Sequence, residues 1–397
     1  MKVLQINSVC GIGSTGRIAT DMDKLLKENG YESYIAYGRG EAMNCDTSIR
    51  IGKNIDNYLH VAKTRIFDQH GFGSIKSTKE FIKNIEALNF DVIHLHNIHG
   101  YYVNIEILFD YLKSVNKPII WTLHDCWAFT GHCSYFDYAK CDKWITGCHT
   151  CPQKSYYPTS LWVDNSSKNY HKKRELFTGV NNLTIVTPSK WLANIVQQSF
   201  LGEYPVKVIN NGINVEMFMP RKNDFREKYN LNNKYIILGV ASYWNRRKGF
   251  EYFIELSSMI RSDEIIVLIG LTDKQKINLP NNILGISKTN SVEKLAEIYS
   301  SADVFINPTL EDNFPTTNLE ALACGTPVIT FQTGGSVESV DNSCGKVVEQ
   351  GNITALIAAI NEIRETNNYR HNCVIKGKSY DKSQRFHEYI ELYESLI

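Results

Sequence analysis

The sequence predicts an α/β protein of two similarly built halves, each a parallel sheet covered by helices on both faces. Three observations point there. Short apolar strands alternate with helical patterns along the chain, the signal for parallel strands joined by helical crossovers. That pattern restarts once, with a join near residues 205–215. A chain of 397 residues is also too long for one typical core.

The elements follow in order. KVLQINS (2–8) reads as the first strand, then a glycine loop and a helix from Gly16 to about Asn29, ended by Gly30. YESYIAY (31–37) is a second strand. DVIHLHN (91–97), PIIWTLHD (118–125) and LTIVTPS (183–189) are later ones, with a helix near Val103–Val115. After the join, YIILGVAS (235–242), EIIVLIG (264–270), ADVFINP (302–308) and TPVITF (326–331) are strands interleaved with helices. The final stretch, SQRFHEYIELYESLI, carries Phe386, Tyr389, Ile390, Tyr393 and Leu396 at helical spacing.

Composition narrows the function classes. Hydrophobic content of 43% and charged content of 21% describe a globular protein. A formal net charge of +1 gives no general case for a nucleic-acid partner, so an anionic ligand must meet a local patch. MKVLQINSV reads directly as a strand, with no secretory signal, and no apolar run is long enough to span a membrane. A cytoplasmic location is the expectation, and disulfides among the ten cysteines are then not expected.

The most informative segment is EDNFPTTNLEALACGTPVITF, 311–331. Pro315 suits the first position of a helix, Thr316, Thr317 and Asn318 fill its first turn, and Gly325 suits a left-handed end. Free N–H groups at such a start attract phosphate. Glu320, eight residues after Asp312, is expected to point toward the same opening, placed to hold a ribose. Arg246, Arg247 and Lys248 follow a strand and Gly249 opens the next helix, which suits a diphosphate clamp as well as a solvated basic turn. His124 ends a strand at its carboxyl edge, where open α/β sheets bind ligands. His94 and His96 are expected on alternate faces of the neighbouring strand, with His96 nearer the ligand. Gly11, Gly13 and Gly16, followed by Arg17, have dinucleotide-fingerprint spacing, but the second strand ends without Asp or Glu.

Four segments together resemble the retaining nucleotide-sugar glycosyltransferases of family four. They are the acid–seven residues–Glu segment at 312–320, VASYWNRRKGF (240–250), VINNGINVEMF (208–218) and IIWTLHD (119–125). The resemblance implies the GT-B arrangement, two Rossmann-like domains facing each other across a cleft. It implies an acceptor domain over 1–208, completed by a crossing last helix at 381–397, and a sugar-nucleotide domain over 209–380. By resemblance, Lys248 with Arg246 or Arg247 meets the leaving diphosphate, and His124 lies beside the transferred sugar. Glu320 holds ribose hydroxyls, and Asp312 with Phe314, Pro315, Thr316 and Thr317 contacts the sugar. The loops holding Gly13 and Gly16, and Asn211 and Gly212, complete the donor side, and Glu338 ends a glycine loop. Relatives often carry Arg where this chain has Ser242, and Glu where it has Asp312.

The implied reaction moves a sugar from a nucleoside-diphosphate sugar to a saccharide or lipid-linked acceptor in capsule, O-antigen or other surface polysaccharide or lipopolysaccharide synthesis, with no catalytic metal. Two alternatives stay open: an NAD-dependent dehydrogenase or epimerase, and a non-catalytic, zinc-stapled sugar-nucleotide-binding protein.

Cys133, Cys141, Cys148 and Cys151, with Cys126 upstream, crowd a turn-rich stretch. Cys148-x-x-Cys151 has zinc-knuckle spacing, and four thiolates would complete a structural tetrahedron, with His132 and His149 as substitutes. Free thiols or disulfides are the alternatives. KNYHKKRELF (168–177) gathers Lys168, Lys172, Lys173 and Arg174 with Tyr170 and Phe177, a pattern fitting peripheral contact with anionic lipid or a solvated helical face.

Overall fold

A computed structural model describes residues 1–289, 291–366 and 369–397. The chain divides into two compact units, Met1–Ile209 with Phe386–Ile397, and Asn210–Arg385.

In the first unit the elements are β1 (Lys2–Val9), α1 (Gly13–Glu28), β2 (Glu32–Arg39), β3 (Ser48–Arg50), α2 (Asn54–Phe67), α3 (Ile75–Glu86), β4 (Val92–Leu95), α4 (Ile105–Ser114), β5 (Ile119–Thr122), α5 (Ser166–Phe177), β6 (Leu183–Thr187), α6 (Lys190–Gln198) and β7 (Val206–Val208). They form a seven-stranded sheet, ordered β3-β2-β1-β4-β5-β6-β7. In the second unit, α7 (Phe225–Lys228) precedes β8 (Tyr235–Val240), α8 (Phe250–Ser257), β9 (Glu264–Ile269), α9 (Asp273–Lys276), β10 (Ile283–Ile286), α10 (Val292–Ser301), β11 (Val304–Asn307), α11 (Thr316–Ala323), β12 (Val328–Phe331), β13 (Gly345–Val348), α12 (Ile353–Glu365) and α13 (Tyr369–Lys378). Their six-stranded sheet is ordered β10-β9-β8-β11-β12-β13. Pairing within both sheets is parallel, as at Leu4↔Ile93 and Ile237↔Val304.

The central strands explain the apolar runs. Every residue of β4, β5, β6, β11 and β12 is buried, as expected of strands covered on both faces. Asn104, Ser189 and Ser291 start α4, α6 and α10, each side chain accepting a first-turn amide. The last helix, α14 (Lys382–Leu396), buries Phe386, Tyr389, Ile390 and Tyr393 against Val3, Ile18, Met22, Ile120 and Val186 of the first unit.

Several local expectations need correction. The first helix begins at Gly13, three residues earlier than expected. Pro315 sits just before its helix, with extended backbone (φ −70°, ψ 119°), so Thr316 is the first helical residue. His94 and His96 do not face opposite ways, because residues two apart on a strand share a face; their rings lie 4.0 Å apart.

Candidate active-site groups

Strand order reverses between β1 and β4 in the first sheet and between β8 and β11 in the second. Loops at the carboxyl ends of such strands form the ligand crevice of an open α/β sheet. Most of the singled-out residues fall on these two sets of loops.

In the first unit, Gly11 and Gly13 adopt left-handed conformations (φ +74° and +66°), and the Gly11 amide donates to the Gly16 carbonyl at 3.1 Å. A Cβ on Gly16 would lie 3.0 Å from Val9 Cγ2, so its absence lets α1 close onto β1. His94 is structural: its nitrogens meet the Tyr393 hydroxyl at 2.6 Å and Thr122 Oγ1 at 2.8 Å. His96 Nδ1 lies 3.2 Å from His124 Nε2, and its Nε2 lies 3.1 Å from Gln5 Oε1. Burial lowers His124 to about 4, against the opposing pull of Asp125, so the ring is neutral at pH 7. Asp125 Oδ2 lies 3.0 Å from His99 Nε2, and its Oδ1 accepts the Trp127 amide at 2.9 Å. Sequence reasoning passed over Gln5, although a polar residue inside the apolar run KVLQINS was a usable signal.

In the second unit, Arg246–Lys248 form one short 3₁₀ turn, and the Asn245 side chain accepts the Lys248 amide at 3.0 Å. Gly249 follows at φ +73°, where a Cβ would come within 2.1 Å of the Pro308 carbonyl oxygen; only glycine lets the two loops approach so closely. Across that contact Lys248 Nζ pairs with Asp312 Oδ2 at 2.5 Å. Arg247 Nη1 donates to the Glu311 carbonyl at 2.8 Å, while Arg246 is exposed. Ser242 is exposed as well.

Phe314 and Pro315 are buried, and Thr316 and Thr317 are half-buried in the first turn of α11. Asn211 Nδ2 donates to the Phe314 carbonyl at 3.0 Å, which ties the 208–218 segment to the start of α11. Gly212 lies against Lys382, where a Cβ would be 2.4 Å from Cα. The Gly335 amide reaches the Asp312 carbonyl at 3.3 Å, so the turn Gly334–Ser339, which ends beside Glu338, joins the same group of loops. Glu320 is buried, and its Oε2 accepts the hydroxyl of the buried Tyr299 at 3.1 Å.

Away from both switch points, the basic stretch of α5 is divided, with Lys168 and Arg174 exposed and Lys173 turned inward. Lys173 is buried, its ammonium donating to the Trp127 and Thr130 carbonyls at 2.7 and 3.0 Å and lying 3.4 Å from a Trp127 ring centroid. Burial lowers it to about 7. Lys172 pairs with Glu106 at 2.8 Å, and Tyr170 and Phe177 are buried. Helical periodicity turned half of that run inward.

Cys133, Cys141, Cys148 and Cys151 line one small cavity together with His132 and His149. None of the cysteines is in a disulfide among the described residues. The Gly131 amide points at Cys148 Sγ (3.2 Å), and His132 Nδ1 is bonded to Asp68. A carboxylate at Nδ1 leaves the lone pair on Nε2, and this buried nitrogen has no hydrogen-bond partner among the described residues. The donor chemistry fits a soft metal. Spacing fits less well, for among the described residues only Asp23, Cys45 and Asp46 bring three donor atoms within 4.8 Å of one another, and Lys27 pairs with both of those carboxylates.

Comparison with known proteins agrees with this arrangement. Residues 15–217 match the model described as Glycosyltransferase Family 4, and residues 221–380 match Glycosyl transferases group 1. WcaC of Escherichia coli K12, named provisionally as a colanic acid biosynthesis glycosyl transferase, is 25% identical over 90% of this chain and 89% of its own. An N,N'-diacetylbacillosaminyl-diphospho-undecaprenol alpha-1,3-N-acetylgalactosaminyltransferase from Campylobacter jejuni is 26% identical over 52% of this chain and 58% of its own. Among solved structures, sucrose-phosphate synthase from Thermosynechococcus elongatus superposes with a TM-score of 0.73 at 17% identity, covering 100% of this chain and 99% of that one. Anabaena HepE in complex with UDP gives 0.68 at 14% identity, with 100% of both chains covered. The family match overrules the dehydrogenase reading of the Gly11–Gly16 loop. With two parallel-sheet Rossmann-like units and a family model spanning residues 15–217, the chain belongs to glycosyltransferase family 4 and is a glycosyltransferase of the GT-B fold.

Proposed function

We propose that the protein transfers a sugar, with retention of anomeric configuration, from a nucleoside-diphosphate sugar to a saccharide or lipid-linked acceptor in surface polysaccharide synthesis. The observation that carries this is the second unit's switch point. There Lys248 pairs with Asp312, Arg247 with the Glu311 carbonyl, and α11 starts four residues after Asp312, at Thr316. Departure of a diphosphate needs fixed positive charge and amide donors where negative charge develops. Asp312 holds the Lys248 ammonium in place until a donor arrives, and Arg246 adds charge at the loop's exposed edge. Glu320, anchored by Tyr299, takes the ribose. In the first unit His124 lies beside the transferred sugar. The relatives' names supply the acceptor class, since one acts on a diphospho-undecaprenol-linked sugar. A panel of UDP- and GDP-sugars screened by thermal shift, followed by turnover with the best binder, tests the reading. Stabilisation by no member of the panel would overturn it.

Catalysis in this reading needs no metal. A structural zinc at the cysteine cavity is a separate part of it, supported by the shared lining of four thiols and by the buried His132 Nε2 that Asp68 orients. Bound there, the ion would order the loop after β5 and leave no open position for substrate.

We also place the protein in the cytoplasm with peripheral membrane contact. No helix among the described residues is long and apolar enough to cross a membrane. The contact surface is better supported at α2 than at α5. Helix α2 is inside out, burying Asn57, His60 and Thr64 while exposing Ile55, Tyr58 and Leu59. The Leu161 amide donates to the Arg65 carbonyl at 2.8 Å, which sets exposed Leu161 and Trp162 beside that helix. Exposed Lys53 and Arg65 flank the apolar face, as suits an anionic bilayer.

A further inference from the structure

We propose that Gln5 and His96 are positioning residues that fix His124 as the tautomer protonated on Nε2, so that its Nδ1 is a hydrogen-bond acceptor. The inference rests on the reading of His124 as a residue beside the transferred sugar, but its geometry stands apart from it.

The chain of bonds has one direction. Gln5 is fully buried on β1, and its Nε2 donates to the Ala19 carbonyl of α1 at 3.1 Å. A carbonyl only accepts, so the amide cannot be flipped, and Oε1 is the atom that faces His96 Nε2 at 3.1 Å. An amide oxygen also only accepts, so His96 Nε2 carries a proton. Burial holds His96 well below the usual histidine range, and a neutral ring protonated at Nε2 accepts at Nδ1. That nitrogen meets His124 Nε2 at 3.2 Å, and His124 must therefore donate. His124 is itself neutral at pH 7. Its remaining nitrogen then holds a lone pair.

The consequence is a chemical preference. Whatever His124 Nδ1 meets, it meets as an acceptor, which suits a sugar hydroxyl and disfavours an oxyanion. Two further features hold the relay in place. Gln5, His96 and His124 belong to β1, β4 and β5 or the residues just after them, which are neighbours in the sheet. The Trp121 indole donates to the His96 carbonyl at 3.3 Å and fixes that backbone.

The experiment reads the tautomer directly. Long-range ¹H–¹⁵N correlation spectra of histidine-labelled protein at pH 7, assigned by the loss of signals in His124→Asn, should show His124 protonated at Nε2 and unprotonated at Nδ1. Gln5→Leu should mix the tautomers and lower kcat about tenfold with donor KM nearly kept. His124 protonated on Nδ1 in the unaltered protein would overturn the proposal, and this arm needs no variant to fold. An unchanged tautomer in a folded Gln5→Leu protein would do the same. If the tautomer is as expected but His124→Ala keeps full turnover, the relay stands and the reading of His124 beside the sugar fails.

Discussion

The two sheets are built by one rule and put their loops at the same topological place, yet they fill those places with opposite electrostatics. In the first unit the groups at the carboxyl ends are chiefly His94, His96 and His124, held neutral at pH 7 by burial, with the Asp125 carboxylate beside them paired to His99. In the second they are Arg246, Arg247 and Lys248 with Asp312. Backbone geometry therefore sets only where a ligand sits, and side chains divide the chemistry. Fixed charge belongs where a diphosphate departs. Neutral acceptors and donors belong where sugar hydroxyls are held.

That division is breakable. The largest effect is expected from Lys248→Met, which should reduce kcat/KM by about 100-fold or more, chiefly through lost stabilisation of the leaving group. Steady-state kinetics with the best sugar nucleotide checks it. His124→Ala should lower kcat by about 100-fold while leaving nucleotide affinity nearly intact. Glu320→Ala is a mixed case. It removes the ribose partner and also strips Tyr299 of its acceptor, so weaker donor binding should come with about 1–3 kcal/mol of lost stability in denaturant titration.

Acid should separate the two units. His60 and His94 are lowered to about 3 and His124 to about 4, in each case by burial. Each is neutral in both folded and unfolded chains above its ordinary value of 6.5. As pH falls below 6.5 the unfolded chain takes up protons that the folded ring refuses, so stability is lost progressively toward pH 4. Amide protection factors, taken against the intrinsic rate at each pH between 7 and 4, should fall in the first unit before the second.

The fold was largely legible, because buried parallel strands write themselves as unbroken apolar runs, as in IIWT and VFIN. The edge strands β3, β7, β10 and β13 were not seen. Three or four half-exposed residues such as SIR and VKV carry no such signal. The second unit's loops were legible through charge and glycine spacing. Their lacing was hidden, since Asn211 to Phe314 and Lys248 to Asp312 join residues distant in sequence. The inward turn of Lys173 was hidden for a different reason: composition counts charges without asking which face of the helix they take.

Smaller effects sharpen the comparison further. Gly249→Ala should disturb both second-unit loops, since its Cβ would meet the Pro308 carbonyl at 2.1 Å, whereas Gly13→Ala meets nothing within 4 Å. The latter should cost only the left-handed backbone penalty, about 1–2 kcal/mol. Thermal melts of the pair measure the difference. Zinc should be found at close to one ion per chain by elemental analysis of protein purified without added metal. Brief EDTA treatment should leave turnover nearly unchanged.

The central claim is that the second unit holds the donor through fixed positive charge while the first acts on the sugar through neutral histidine. Calorimetric titration of the best-binding sugar nucleotide into the unaltered protein, Lys248→Met and His124→Ala tests it most directly. The account predicts a Kd raised about tenfold or more in Lys248→Met and changed less than about twofold in His124→Ala. Unchanged affinity in Lys248→Met, or a loss confined to His124→Ala, would contradict it.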